Sequence, residues 1–167
     1  DSLATGHLSN IEAFLDNPRF EFLEGDIRNP EDCLKACDGI DAVSHQAALG
    51  SVPRSIADPI TSHNVNVNGF LNMLEAVRAK GIQRFVYASS SSVYGDLNES
   101  PKIEKRVGKI LSPYAATKMA NELYAEAYAK NYNLSIAGFR YFNVFGPKQD
   151  PNGPYAAVIP LFVKCAL

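Results

Sequence analysis

Apolar residues in this chain fall either into short, mainly apolar runs or into longer segments where they recur at helical spacing. Runs of about four to eight residues are typical of strands inside a parallel sheet, and helical spacing is typical of helices that cover such a sheet. The predicted strands are 20–23, 41–45, 85–88 and 134–141. The predicted helices are 10–15, 31–37, 59–80, 114–131 and 155–167. Because strands alternate with helices, the pattern predicts an α/β fold with a doubly wound parallel sheet.

Small or polar residues follow each predicted strand. They are Asp26, Ala47–Ala48, Ser90–Ser91 and Asn143. In a parallel sheet the carboxyl ends of the strands form the edge that binds ligands. Backbone with as little side chain as Ala47–Ala48 lets a flat ligand approach closely. The strand ends therefore predict a binding site at one edge of the sheet, and the segment 49–55 beside it is predicted to be a loop.

The clearest chemical signal is a tyrosine and a lysine near the serine-ended strand. Ser112 and Pro113 start a helix, so Tyr114 and Lys118 share one helical face. An ammonium close to a phenol favours the phenolate and lowers the phenol pKa. A strand-end hydroxyl such as Ser90 can bind the alcohol oxygen that the phenolate deprotonates, while a hydride leaves the alcohol carbon. An exposed tyrosine beside a solvated lysine on an ordinary helix is the alternative that this pattern leaves open.

The composition narrows the class of protein. The chain has 167 residues, which suits one domain, and its net charge of −2 comes without a basic patch that would indicate nucleic-acid binding. No apolar run reaches the roughly 18 residues of a membrane span. Cys33, Cys37 and Cys165 are odd in number and lack metal-ligand spacing, which indicates reduced thiols. We therefore expect a cytoplasmic protein without a metal site.

Longer motifs in the chain resemble one known family. They are GDIRN, HQAALGSVPRSI, NVNG, YASSSSVYGD, SPYAATK and FRYFNVFGPKQDPNGPYAAVIP. Together they resemble the extended short-chain dehydrogenases/reductases, in particular the nucleotide-sugar 4-epimerases. SVPRS and PNGPYAAVIP are most similar to bacterial epimerases that interconvert UDP-N-acetylglucosamine and UDP-N-acetylgalactosamine. The resemblance implies a Rossmann-like fold, NAD as cofactor, a UDP-sugar as substrate and a homodimer formed through the helices after Pro59 and Pro113.

The resemblance also implies roles for individual residues. Tyr114 is the implied catalytic acid and base, Lys118 lowers its pKa and binds the nicotinamide ribose, and Ser90 binds the sugar O4. The residues implied to bind NAD, besides Tyr114 and Lys118, are Asp1, Asp26, Ile27, Ala47, Ala48, Leu49 and Tyr141. The residues implied to bind the UDP-sugar, besides Ser90 and Tyr114, are Ser51, Ser91, Asn143, Tyr155, Ala156, Ala157, Val158 and Ile159. The implied reaction is oxidation at C4 of the sugar, followed by reduction of the 4-keto intermediate on its other face.

The sequence departs from the family pattern in two places. UDP-glucose epimerases commonly carry two asparagines where this chain has Ala156 and Ala157, and small residues leave room for an acetamido group. The glycine-rich phosphate loop is absent, as is the C-terminal part that closes over the UDP-sugar. We therefore expect a piece of a protein about twice this length that is inactive alone. Residues 1–147 are predicted to form a partial NAD-binding Rossmann domain, and 148–167 the start of the UDP-sugar-binding region.

Other functions share most of these motifs. A UDP-glucose or UDP-glucuronate 4-epimerase differs only in its sugar. A 4,6-dehydratase ordinarily carries an acidic pair where this chain has Ser91 and Ser92, which argues against dehydration. A UDP-glucuronate decarboxylase needs a cation for the sugar carboxylate, which Arg54 or Arg140 could supply. A truncated homologue that binds nucleotides without catalysis is the remaining alternative. Tight retention of NAD distinguishes the epimerase from a dehydrogenase that exchanges its cofactor in every turnover.

Overall fold

The computed structural model describes residues 1–149 and 158–166. The elements are, in chain order, α1 (Pro30–Ala36), β1 (Ala42–His45), α2 (Val52–Ala57), α3 (Pro59–His63), α4 (Gly69–Ala79), β2 (Arg84–Ser90), α5 (Pro113–Tyr132), β3 (Ser135–Tyr141) and α6 (Val158–Ala166). A π-helical turn, Asn64–Asn68, joins α3 to α4, so the helix predicted over 59–80 is confirmed. Two 3₁₀ turns, Leu8–Asn10 and Glu12–Phe14, stand in place of the helix predicted over 10–15.

The three strands form one parallel sheet in the order β1-β2-β3. Their register pairs His45 with Tyr87 and Ser90 with Tyr141. The carboxyl ends of the strands therefore meet at one edge of the sheet, where ligands bind in proteins of this class. The predicted α/β fold with a parallel sheet is confirmed.

The segment 20–23 is not a strand in the structure, so this prediction is wrong. The end of the segment pairs with the first residue: the Asp1 amino group donates to the Leu23 carbonyl at 3.0 Å, and the Gly25 amide donates to the Asp1 carbonyl at 3.2 Å. This is the hydrogen-bond pattern of parallel strands, but the partner contributes only one residue. A single residue does not make a ladder, so the segment is irregular.

The loop predicted over 49–55 is wrong in its second half, where α2 begins at Val52. Ser51 caps this helix by accepting a hydrogen bond from the Arg54 amide at 3.2 Å, and Pro53 fixes φ in the first turn. A capping residue followed by proline also starts α3 and α5. This local signal was sufficient to identify α2 from the sequence.

The hydrophobic core joins α1, α4 and α5 to the sheet. Phe85 and Tyr87 lie two residues apart in β2 and so point to the same face. Phe70 of α4 meets Phe85, Tyr87 and His45 edge-on, with ring centroids 5.7, 5.1 and 5.4 Å away. Two free thiols, Cys33 of α1 and Cys37 directly after it, are buried in the same cluster. Aromatic contacts of this kind add about 0.5–1.5 kcal/mol beyond apolar burial, and they fix α4 against the sheet.

The longest described helix, α5, has 20 residues and carries charged side chains along most of its turns. Across residues 1–149 and 158–166, no helix is both long enough and apolar enough to cross a membrane.

The free energy of unfolding is expected to fall as the pH drops from about 6.5 to about 4, because His45 is buried in its neutral form. His45 lies against Phe70 and Phe85, and burial, together with the charge of Lys118, lowers its pKa to about 4. The unfolded chain takes up this proton near pH 6.5, but the folded chain does not until about pH 4. The loss over this window reaches about 3 kcal/mol.

Urea unfolding at pH 7 and at pH 5 measures this loss. His45→Gln is expected to remove most of the pH dependence, since glutamine does not titrate. The control is His63→Gln, at an exposed position, which is expected to leave the dependence unchanged. The same pH dependence in His45→Gln and in the unaltered protein would rule out His45 as the cause.

Candidate functional site

The candidate active site lies where β2 ends and α5 begins. Ser90, the last residue of β2, caps the 3₁₀ turn that follows: its hydroxyl oxygen accepts from the Ser92 amide at 3.2 Å and from the Ser92 hydroxyl at 2.9 Å. The start of α5 is fixed because Ser112 accepts from the Ala115 amide at 3.1 Å and Pro113 occupies the first helical position. The helix start predicted at Ser112 and Pro113 is confirmed.

The first two turns of α5 bring Tyr114 and Lys118 to the end of β2. The Tyr114 amide donates to the Ser55 hydroxyl of α2 at 3.0 Å, which fixes this turn against α2. The Lys118 ammonium donates to the Ala88 carbonyl at 2.9 Å, and its Nζ lies 5.9 Å from the centre of the Tyr114 ring. The Tyr114 phenol and the Ser90 side chain also lie close enough for Ser90 to lower the phenol pKa. The structure thus brings Ser90, Tyr114 and Lys118 together.

Burial has the largest effect on the pKa values of Tyr114 and Lys118. Burial raises the pKa of the Tyr114 phenol, and Ser90 offsets part of the rise. Burial also lowers the pKa of Lys118 to about 8. Desolvation of the phenol has the largest effect on its pKa in this arrangement, so the expectation that Lys118 lowers the phenol pKa stays a prediction.

A buried asparagine ties the loop after β1 to α5. Asn66 accepts from the Leu49 amide at 2.7 Å, and its Nδ2 donates to the Leu49 carbonyl at 2.8 Å and to the Thr117 hydroxyl at 3.2 Å. Thr117 directly precedes Lys118. Asn66 lies in the π-helical turn, a geometry frequent at functional sites. The NVNG motif contains Asn66, but its partners Leu49 and Thr117 lie too far along the chain for the motif to indicate them.

Replacing Asn66 by alanine is expected to lower the free energy of unfolding by about 2 kcal/mol, because the Leu49 amide and carbonyl lose their partner. Amide hydrogen exchange at Leu49 is expected to accelerate as the loop loosens. Asn68→Ala is the matched control: Asn68 is exposed and bonds only within its own helical turn, to Asn64. Its expected change is within about 0.5 kcal/mol. Equal losses in the two variants would show that the Leu49 contact is unimportant.

A cleft of about 100 Å³ lies between α1 and the residues 23–27. Asp1, Asp26 and Ile27 line it, so the structure brings these three residues together. Arg28 donates to both carboxylate oxygens of Asp26 and lowers the Asp26 pKa. Two carboxylates beside an apolar side chain form a suitable surface for a sugar hydroxyl pair and a flat base.

The other residues that the resemblance assigned to NAD lie along the same edge. Ala47, Ala48 and Leu49 form the loop that follows β1. Tyr141 ends β3 and pairs with Ser90 in the sheet register. The edge therefore runs from the end of β1 to the end of β3. Between them lies the group of Ser90, Tyr114 and Lys118, which we call the serine centre.

The residues assigned to the UDP-sugar are more dispersed. Ser51 caps α2, and Ser91 begins the turn after β2. Asn143 is exposed beyond β3, Val158 begins α6 and Ile159 is exposed. Within the described part of the chain, neither Asn143 nor Ile159 is hydrogen-bonded to the serine centre. The assigned residues Tyr155, Ala156 and Ala157 lie outside the described residues.

The chain is similar to known proteins both in sequence and in structure. Residues 1–167 match the NAD dependent epimerase/dehydratase family. A UDP-glucose 4-epimerase of Mycolicibacterium smegmatis is 36% identical over 169 residues, covering 100% of this chain and 54% of the relative. The structure of a UDP-N-acetylglucosamine 4-epimerase from Methanobrevibacter ruminantium, in complex with UDP-N-acetylmuramic acid, is 38% identical with a TM-score of 0.89, covering 99% of this chain and 53% of that one.

A second solved structure supports the same relationship. The UDP-glucose 4-epimerase of Thermus thermophilus, in complex with NAD, is 38% identical with a TM-score of 0.84, covering 93% of this chain and 50% of that one. The chain thus spans about half the length of these relatives.

NAD is the cofactor of this family, and the described residues fit parts of it. The Asp1 carboxylate at the cleft suits the hydroxyls of an adenosine ribose. The loop of Ala47–Ala48 offers bare backbone to a flat ring, and the buried Lys118 ammonium offers a donor to a ribose. The match extends over the whole chain and is accompanied by the same fold. The chain therefore belongs to the NAD dependent epimerase/dehydratase family.

Proposed function

We propose that the protein catalyses the NAD-dependent 4-epimerisation of a UDP-hexose. The observation that carries the proposal is the meeting of Ser90, Tyr114 and Lys118 at the carboxyl end of β2. A hydroxyl, a phenol and an ammonium are the groups needed to move a proton on and off an alcohol oxygen. Both solved relatives described above are 4-epimerases by name, which supports this reaction.

Each residue of this centre has its own role in the proposed reaction. Ser90 binds the sugar O4 and aligns it with Tyr114, which takes the O4 proton and later returns it to the 4-keto sugar. Tyr114 acts as the phenolate in the first step and as the phenol in the second, and the charge of Lys118 stabilises the phenolate. Bound NAD supplies reversible oxidation at C4.

Different parts of the chain are proposed to bind NAD and the UDP-sugar. Residues 1–147 bind NAD, and 148–167 begin the region that binds the UDP-sugar. The residues proposed for NAD are Asp1, Asp26, Ile27, Ala47, Ala48, Leu49, Tyr114, Lys118 and Tyr141. The adenosine half occupies the cleft between α1 and the residues 23–27, and the nicotinamide half lies at the serine centre.

The proposed sugar is UDP-N-acetylglucosamine, which is converted to UDP-N-acetylgalactosamine. The name of the 38% identical relative from Methanobrevibacter ruminantium supports an N-acetylated sugar. Ala156 and Ala157 support it too, since small residues leave space for an acetamido group. UDP-glucose is the competing sugar, because the other two relatives act on it by name.

The proposed assembly is a homodimer formed through the helices after Pro59 and Pro113, which buries exposed apolar side chains of α3 and α5. Ile60 and Leu123 are exposed on these helices, whereas Leu74 of α4 belongs to the core. Exposed apolar side chains on neighbouring helices are suited to a four-helix contact between two copies. Sedimentation of the natural protein measures its mass in solution, and a monomer at micromolar concentration would contradict the dimer.

Proton NMR of UDP-N-acetylglucosamine, incubated with the natural protein at its full natural length and without added cofactor, tests the function. Conversion to the galacto epimer is the expected result, because NAD is regenerated in each cycle and stays bound. UDP-glucose and UDP-glucuronate are tested in parallel. Conversion of one of these alone would overturn the proposed sugar and keep the reaction. A lack of conversion of any of the three would overturn the reaction itself.

A further inference from the structure

Glu122 and Arg140 form a largely buried ion pair beside the serine centre. Glu122 lies on α5 and Arg140 on β3. The guanidinium donates to both carboxylate oxygens, from Nε to Oε1 at 2.9 Å and from Nη2 to Oε2 at 2.8 Å. The Arg140 side chain is only 15% exposed and the Glu122 side chain 19%, whereas every other ion pair within the described residues has one side chain at least 46% exposed. This pair is therefore part of the interior.

The same carboxylate binds the strand that carries Ser90. The hydroxyl of Ser89, a buried residue, donates to Glu122 Oε1 at 2.5 Å. Lys118, one turn earlier on α5, holds the carbonyl of the preceding residue, Ala88, at 2.9 Å. α5 thus binds two consecutive residues of β2 immediately before Ser90. Because side chains alternate along a strand, fixing Ser89 on one face fixes the direction of Ser90 on the other.

Arg140 connects this contact to the loop before α5. Its Nη1 donates to the Glu104 carbonyl at 2.9 Å, and its guanidinium lies 4.8 Å from the centre of the Tyr94 ring. Burial works to raise the pKa of Glu122, but the hydrogen bonds from Arg140 and Ser89 hold it below its ordinary value. Glu122 is therefore charged at neutral pH and accepts three hydrogen bonds, two from Arg140 and one from Ser89.

We propose that Glu122 is a positioning residue that aligns Ser90 with Tyr114. It acts through its hydrogen bond with Ser89, and Arg140 holds it in place. The inference rests on the proposed function, since the direction of Ser90 matters only if its hydroxyl binds the reacting sugar oxygen. Glu122 itself contacts neither the sugar nor NAD.

The spacing along α5 explains how one helix both supplies the Tyr114 phenol and fixes the strand that carries Ser90. Tyr114, Lys118 and Glu122 follow one another at intervals of four residues and share one face of the helix. The helix that supplies the phenol thus also fixes the strand that supplies the hydroxyl. A misplacement of about 1 Å between reacting groups lowers a rate by up to about a hundredfold.

Ser89→Ala tests the inference most directly, because it removes the link to β2 and leaves the ion pair intact. In the natural protein at full length, kcat for the UDP-hexose is expected to fall about tenfold or more, while KM changes less than about twofold. The control is Ser135→Ala, at the exposed first position of β3, which is expected to leave both constants unchanged. An unchanged kcat in Ser89→Ala overturns the inference.

A second pair of variants distinguishes a role of Glu122 in aligning Ser90 from a role only in stabilising the fold. Arg140→Met leaves Glu122 buried without its partner, so a lower midpoint of urea unfolding is expected. The double variant Glu122→Met/Arg140→Met removes both charges, and its midpoint is expected to recover while kcat stays about tenfold low. Recovery of kcat together with the midpoint would show that the pair supports only the fold, and would overturn the inference.

Failure of the proposed function gives a different result. An unaltered protein that converts no UDP-hexose overturns the proposed function and this inference with it. An active unaltered protein whose Ser89→Ala variant turns over at the same rate overturns the inference alone.

Discussion

Tyr114→Phe is expected to lower the turnover of UDP-N-acetylglucosamine by about a thousandfold in the natural protein at full length. The variant keeps the ring that packs at the start of α5 and removes only the phenolic oxygen. Without that oxygen no group at the serine centre can take the O4 proton and return it. Rates of interconversion at saturating substrate, followed by proton NMR, measure the effect, and NAD released on denaturation is expected to be unchanged.

Tyr132→Phe is the matched control. Tyr132 is the last residue of α5 and is exposed, so loss of its hydroxyl is expected to change turnover by less than about twofold. A Tyr114→Phe variant that kept more than a tenth of the activity would remove Tyr114 from its proposed role. Loss of NAD from that variant would instead show that the residue is needed for cofactor binding.

Phe70→Ala is expected to lower the free energy of unfolding by about 3–5 kcal/mol. Phe70 is 0% exposed and has ring contacts with His45, Phe85 and Tyr87. Alanine leaves a cavity at the point where α4 meets the sheet, and the surrounding rings cannot fill it without moving. The midpoint of urea unfolding, with its slope, measures the loss.

Phe14→Ala provides the comparison for the same chemical change. Phe14 is 51% exposed, so its loss is expected to cost less than about 1 kcal/mol. Equal losses at the two positions would mean that the Phe70 cluster does not hold α4 to the sheet.

Local signals in the sequence predicted most of the elements correctly. The start of α5 followed from Ser112 and Pro113, because capping depends only on residues one turn away. The Tyr114 and Lys118 pair followed from helical spacing alone. The segment 20–23 was predicted wrongly because a strand exists only if a partner forms a ladder with it, and pairing is not a local property.

The site was harder to predict where its contacts join distant residues. Asn66 binds Leu49 across 17 positions and Thr117 across 51, and Ser89 binds Glu122 across 33. A side chain of this kind looks like any other polar residue in a helix or strand until the fold brings its partner near. The NVNG motif marked the region of Asn66 but not the loop that it holds.

Patterns within a few neighbouring residues were enough to predict β1, β2, β3 and the start of α5, and to identify Ser90, Tyr114 and Lys118 as residues near one strand end. The sheet register, the Lys118 contact with the Ala88 carbonyl and the direction of the Tyr114 pKa shift followed only from the folded structure. The physical reason is that strand pairing and desolvation depend on which distant residues cover a group, and no local pattern records that.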